Sequence, residues 1–154
     1  MKKRSKYRPK GKLINPVAYV LESLKPVKEH DSYLIDLKIK NHGAMEALTK
    51  GRAGRSEMDE LVNMVNVVEA LFRLGFGKEY GDVVQQGLDA LHDVGQRGLQ
   101  TGRFILKAHE MSHLNLVMDL HDAQMEVINV KDMEKAVDLV YKELKQQKMR
   151  RMKA

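Results

Sequence analysis

Residues 56–75 read SEMDELVNMVNVVEALFRLG, and this stretch decides the fold class. Its apolar residues Leu61, Met64, Val65, Val68, Leu71 and Phe72 recur every three or four positions, the spacing of one face of an α-helix. Ser56 opens that helix, the acids Glu57, Asp59 and Glu60 oppose the helix dipole in its first turn, and Gly75 and Gly77 stop it. The same periodicity extends outward in both directions, while alternating Val/Ile/Thr runs of strand type are nearly absent. The reading is therefore all-α: a single-domain bundle of about five to six helices with flexible basic termini.

Upstream, Asn15 as cap and Pro16 at the first helical position start a short helix that must stop before Pro26, whose ring disfavours a helical Lys25. A longer helix is expected from about Ser32 to Thr49, capped by Asp31, with Leu34, Ile35, Leu37, Met45 and Leu48 facing inward; KGRAGR over 50–55 is a turn. Downstream, a helix from about Glu79 to Val94 buries Val83, Val84, Leu88 and Leu91. Gly81 and Gly87 weaken it by about 1 kcal/mol each relative to alanine, in exchange for close helix packing. GQRGLQTGR over 95–103 reads as a connector, and RFIL after it as either extended chain or a first helical turn. Two further helices are expected, from about Lys107 to Ile128 and from about Asp132 through Val137, Val140, Tyr141 and Leu144.

A chain of 154 residues suffices for one core that stands without metal or disulfide. Cysteine is absent, which removes disulfides, thiolate metal sites and a cysteine nucleophile together and suits a reducing, cytoplasmic setting. The basic start runs into an apolar patch broken by Pro16 and Glu22 with no small-residue cleavage site, so no signal peptide is expected. No apolar run approaches the roughly 20 residues of a membrane-spanning helix, and no membrane partner is expected.

The formal charge of +6 hides a sharper division. Residues 1–12 carry seven Lys or Arg and no acid, a net of +7, and residues 142–154 carry six against Glu143, a net of +5. The middle, 13–141, has 14 basic and 20 acidic residues, a net of −6. The expected organisation is a basic arm over 1–12, a helical domain over 13–144 and a basic extension over 145–154.

Several short motifs carry possible chemistry. HEMSH at 109–113 has the HExxH spacing, in which two His one helical turn apart bind zinc and the Glu polarises the metal-bound water. His109, Glu110 and His113 would be that set. Asp119 stands where metzincins place a third ligand, but the bend position is Leu116 where those families have Gly. On an unbroken helix Asp119 lies about 240° round from His113. Glu126 or Glu134 would serve a thermolysin-like arrangement instead. Zincins lay their substrate along a sheet edge, and this chain shows no convincing sheet. The competing expectation is that the motif helix is apolar on two faces, with His109 and His113 as half-buried packing residues. Phe104, Ala108, Met111, Leu114, Met118 and Met125 would form one face, and Leu106, Leu116, Val117 and Leu120 the other.

LHDVGQ at 91–96 resembles the LHDIGK heart of the HD phosphohydrolases, helical metalloenzymes in which a His-Asp doublet binds metal. The resemblance implies a metal site at His92 and Asp93. That family also needs a His one helix upstream, and none lies between His42 and His92. His121 and Asp122 form a second doublet in LHDAQ. Solvated surface positions are the expectation for both doublets. No Gly-rich phosphate loop and no nucleophile motif is present, so no catalytic residue, cofactor or metal is assigned.

The basic ends remain. Lys2, Lys3, Arg4, Lys6, Arg8, Lys10 and Lys12 surround Tyr7, which could stack one base while the cations neutralise phosphates; Lys145, Lys148, Arg150, Arg151 and Lys153 extend the last helix. Arg52 and Arg55 lie in a turn between helices, but the acids that follow would repel phosphates from a groove-reading helix. The resulting expectation is a small, non-catalytic binding or regulatory protein that contacts nucleic acid through its ends in a salt-dependent manner. The alternative is a helical protein-interaction or self-assembly module, joining copies or partners through charge and an apolar helix face. A zinc hydrolase comes third.

Overall fold

The computed structural model describes residues 24–29 and 31–146. These form α1 (Asp31–Thr49), α2 (Arg55–Arg73), α3 (Gly81–Thr101), α4 (Ala108–Val127) and α5 (Val130–Lys145), with single 3-10 turns at Val27–Glu29 and Lys78–Tyr80. The protein is an all-α bundle. The short helix expected between Pro16 and Pro26 lies, but for its last residues, outside the described residues. None of the described helices is long and apolar enough to cross a membrane.

α2 is the central element and touches the other four helices. Its stripe falls as its spacing dictates: Leu61, Met64, Val65, Val68 and Leu71 are buried, and Phe72 is half-buried. Gly54 caps it, donating its backbone N–H to Glu57 Oε2 at 2.7 Å, so one of the first-turn acids is a cap rather than a free charge.

The core has two apolar compartments. The first gathers Ala44, Met45 and Leu48 of α1, Met58 to Val68 of α2, Val84 to Val94 of α3 and Leu114, Val117 and Met118 of α4. The second gathers Val27, Ala70, Leu71, Met125, Ile128, Met133, Ala136 and Val140. Between them lies a polar level. Asn41, His121 and Gln124 are each at most 3 % exposed. Gln124 donates to the Val68 and Phe76 carbonyls at 3.3 and 3.1 Å, while its Oε1 and Asn41 Nδ2 have no hydrogen-bond partner among the described residues. At the rim of this level His42 Nε2 and Asp122 Oδ2, 3.0 Å apart, tie α1 to α4.

Three expectations need correction. Ile35 does not face inward: it is 55 % exposed, on the side of α1 away from Asn41, Ala44 and Leu48. The connector expected at 95–103 is helical as far as Thr101, where Gly102 at φ 76° ends α3. Val84, Leu88, Leu91 and Val94 continue into buried Gly95 and Gly98, and the ring of Phe104 folds back over Gly98, so the contact that the periodicity lacks comes from across the turn. Gly87 likewise admits Val117 of α4, as expected of a close packing site. Finally, α4 is not apolar on two faces. Its buried residues, from Glu110 through Leu114, Val117, Met118 and His121 to Gln124 and Met125, fall within about 120° of arc, and Leu116 is 50 % exposed. Phe104 and Leu106 lie before the helix, outside any regular element, and Ala108 is exposed.

α5 starts two residues earlier than the expected Asp132, because Asn129 is its cap. Asn129 Oδ1 accepts from the Asp132 N–H at 2.8 Å and Asp132 Oδ2 accepts from the Asn129 N–H at 3.1 Å, a reciprocal box. Asn129→Ala is expected to cost about 1 kcal/mol, read as a thermal midpoint lower by roughly 2–4 °C. An unchanged midpoint would show that the box contributes nothing.

Candidate nucleic-acid interface

The second compartment holds one face of α5, through Met133, Ala136 and Val140, and leaves the other to solvent. On that outward face Lys131, Lys135, Lys142 and Lys145 are all exposed and fall within about 80° of arc. Tyr141 flanks them at 70 % exposure. Glu134 and Asp138 share the face, so it is basic without being purely so. Among the described residues no ion pair engages the four lysines, whereas Glu143, on the inner edge, is held by Arg73 of α2.

Described chain borders this helix at both ends. At its start, the Val27 N–H donates to the Ile128 carbonyl at 3.0 Å and the Val130 N–H to the Lys25 carbonyl at 3.1 Å, fastening residues 25–27 beside the first turn of α5. At its end, Lys145 is the last helical residue. Sixteen residues at 1.5 Å each make the helix about 24 Å long.

Of the residues singled out in the termini, Lys145 alone is described, and it is exposed. Lys2, Lys3, Arg4, Lys6, Tyr7, Arg8, Lys10, Lys12, Lys148, Arg150, Arg151 and Lys153 lie outside the described residues. Lys131, Lys135 and Lys142 went unassigned in the sequence because two of them were counted within a net acidic middle. Their four- and seven-residue spacing was the available signal.

The HExxH residues are divided between two sides of α4. His109 is exposed and His113 half-buried, with ring centroids 6.2 Å apart in an edge-to-face arrangement. Glu110 points into the bundle at 1 % exposure. Arg97 of α3 grips both of its oxygens, Nη1 on Oε1 at 2.7 Å and Nη2 on Oε2 at 2.6 Å, and the Lys107 backbone N–H adds a bond to Oε2 at 2.8 Å. Burial alone would raise the Glu110 carboxyl, but the Arg97 hydrogen bonds, the backbone bond and the nearby positive charges outweigh it and hold it below its ordinary value. That carboxylate is an ion-pair member and a helix cap. No group of three or more His, Cys, Asp or Glu suited to a metal occurs among the described residues.

The two His-Asp doublets also part company. His92 and Asp93 are both exposed on α3, as expected. His121 is not: it is 1 % exposed in the polar level of the core, its Nδ1 3.7 Å from Asp122 Oδ1. The imidazole of His121 and then that of His42 keep the Asp122 carboxyl below its ordinary range against the opposing effect of burial. Compared with known proteins, the chain matches no family model, no curated protein and no solved structure.

Proposed function

We propose that the protein is a non-catalytic helical binding protein that holds nucleic-acid phosphates along the outward face of α5, with the basic residues at both ends of the chain extending the contact. The observation that carries this reading is the set of four exposed lysines on one face beside an exposed tyrosine, on a helix whose last residue leads directly into the basic segment 146–154 of the sequence. Ammonium groups so placed displace counterions from a phosphate backbone without reading bases, and the Tyr141 ring offers a stacking surface to an unpaired base. Binding of this kind is insensitive to sequence and steep in salt.

The test is a titration of labelled DNA and RNA at several salt concentrations. Replacing Lys131, Lys135, Lys142 and Lys145 together by alanine is expected to flatten the slope of log affinity against log salt by roughly 3 to 4, since each phosphate contact contributes about 0.7 to 0.9. Deleting residues 2–12 should reduce what remains. Retention unaffected by salt, or a fourfold variant with the parent's affinity and slope, would remove the proposal.

A further inference from the structure

The solvent face of α3 carries charge of one sign. Asp82, Asp89 and Asp93 are exposed and fall within about 40° of arc, and Glu79, in the 3-10 turn just before the helix, is exposed as well. Gln85 and Gln86 stand among them, and Gln85 donates its amide to Asp89 Oδ1 at 2.9 Å. Over 78–101 the cations are Lys78, at the edge of the row, and Arg97, which is committed to Glu110. Among the described residues no ion pair engages these acids.

The acids are spaced as the α5 lysines are, in reverse. From Lys131 the steps to Lys135, Lys142 and Lys145 are four, seven and three residues, and from Asp93 back to Asp89, Asp82 and Glu79 they are again four, seven and three. Two such helices laid antiparallel bring Lys131 to Asp93, Lys135 to Asp89, Lys142 to Asp82 and Lys145 to Glu79, with rises of about 6 and about 10.5 Å matched along the first two steps. The acids within the lysine face agree with that register. Asp138 falls opposite Gln86, which has a donor to offer, and Glu134 opposite Ala90, so no two carboxylates meet.

One chain cannot make this contact with itself. α3 lines the first apolar compartment and α5 the second. The Phe72 ring lies against Gly81 at the start of α3, whereas Ala70 shares the compartment of α5, and these two residues point about 160° apart round α2. We propose that the lysine face of α5 docks antiparallel on the acidic face of α3 of a second copy, in the register just given. Because the two faces flank α2 on opposite sides, the contact is heterologous and repeats head to tail instead of closing into a pair. Its ion pairs are exposed, so the association belongs to low salt and high protein concentration. It shares its lysines with the phosphate-binding reading without resting on it: the α3 acids enter only here, and either contact can fail while the other stands.

Light scattering over a range of protein concentrations measures the association. Between about 0.01 and 0.1 M salt, where the screening length falls from about 30 to about 10 Å, the apparent mass of the full chain should climb with concentration to on the order of twice that of one chain or more. At about 1 M salt it should return to that of one chain. Asp82→Asn, Asp89→Asn and Asp93→Asn together with Glu79→Gln should abolish the climb. A control with the same change in net charge at other exposed sites, Asp36→Asn, Asp59→Asn and Asp119→Asn with Glu126→Gln, should associate as the parent does. A parent chain that stays single in low salt would overturn the proposal, as would an α3 variant that associates undiminished. A control that loses association as fully as the α3 variant would overturn it too, by showing that net charge and not the matched row was at work.

Discussion

Arg97→Ala is expected to lower the stability of the fold by about 3 kcal/mol, a fall of roughly 6–12 °C in thermal midpoint for a chain of this size. The substitution removes both guanidinium bonds to Glu110 and leaves a carboxylate at 1 % exposure with one backbone N–H for company. Breaking a buried pair costs about 3–5 kcal/mol in this way, and the lower end applies because the Arg97 side chain is 32 % exposed and partly screened. The sign with pH separates this cause from lost packing. In the parent chain Glu110 has a depressed pKa, so its contribution is present above the ordinary carboxylate range and fades as pH falls through the folded value. In the variant desolvation dominates, the carboxyl is pushed up, and protonation relieves the penalty. The deficit between the two proteins should therefore shrink as pH falls from 7 towards about 4. Urea midpoints at several pH values measure it, and a deficit constant with pH would show that the charge was not what had been lost.

Gly98→Ala sets two effects of opposite sign against each other. Helix propensity alone favours alanine inside α3 by about 1 kcal/mol. Packing opposes it: a Cβ there would stand 2.0 Å from Phe104 Cδ1 and 2.7 Å from its Cγ, so the ring must leave its site or α3 and α4 must part. Phe104 is 8 % exposed and belongs to the first apolar compartment, and overpacking of this kind costs about 1–3 kcal/mol. The net expectation is a loss of about 1 kcal/mol and at most about 2, read as a lower denaturant midpoint with little change in slope. Gly87→Ala, whose Cβ would approach Val117 Cγ2 to 2.3 Å, should act in the same direction. A gain in stability at Gly98 would mean that propensity wins and that the ring is free to move.

These two sites also show where a single sequence stops being readable. The α2 stripe was legible because every contact it makes is carried by its own side chains at regular spacing. The last two turns of α3 were not, because there glycine receives a contact that Phe104 delivers, and periodicity registers side chains rather than the space left for them. Glu110 was drawn into a metal motif by its neighbours at 109 and 113, when its partner is a cation thirteen residues upstream on another helix. His121 was expected in solvent because of its polar type, whereas its position on α4 between Met118 and Met125 is that of the core face. The lysine face of α5 was obscured by summing charge over segments: net charge per segment averages over opposite sides of one helix.

The level formed by Asn41, His121 and Gln124 has a consequence for how the helices find their places. If α4 slid by one turn against α1 and α2, two amides and an imidazole would be set against the hydrocarbon of one compartment while Val117 or Met125 met the polar partners left behind. Misalignment of this kind would strand dipoles in oil, at about 1–3 kcal/mol for each one stranded. The native alignment is thus marked by a single depth at which α1 and α4 both tolerate polarity, much as one buried polar position fixes the stagger of a coiled coil. The same marking limits evolution: an apolar residue at any of the three positions would gain cohesion and erase the ruler.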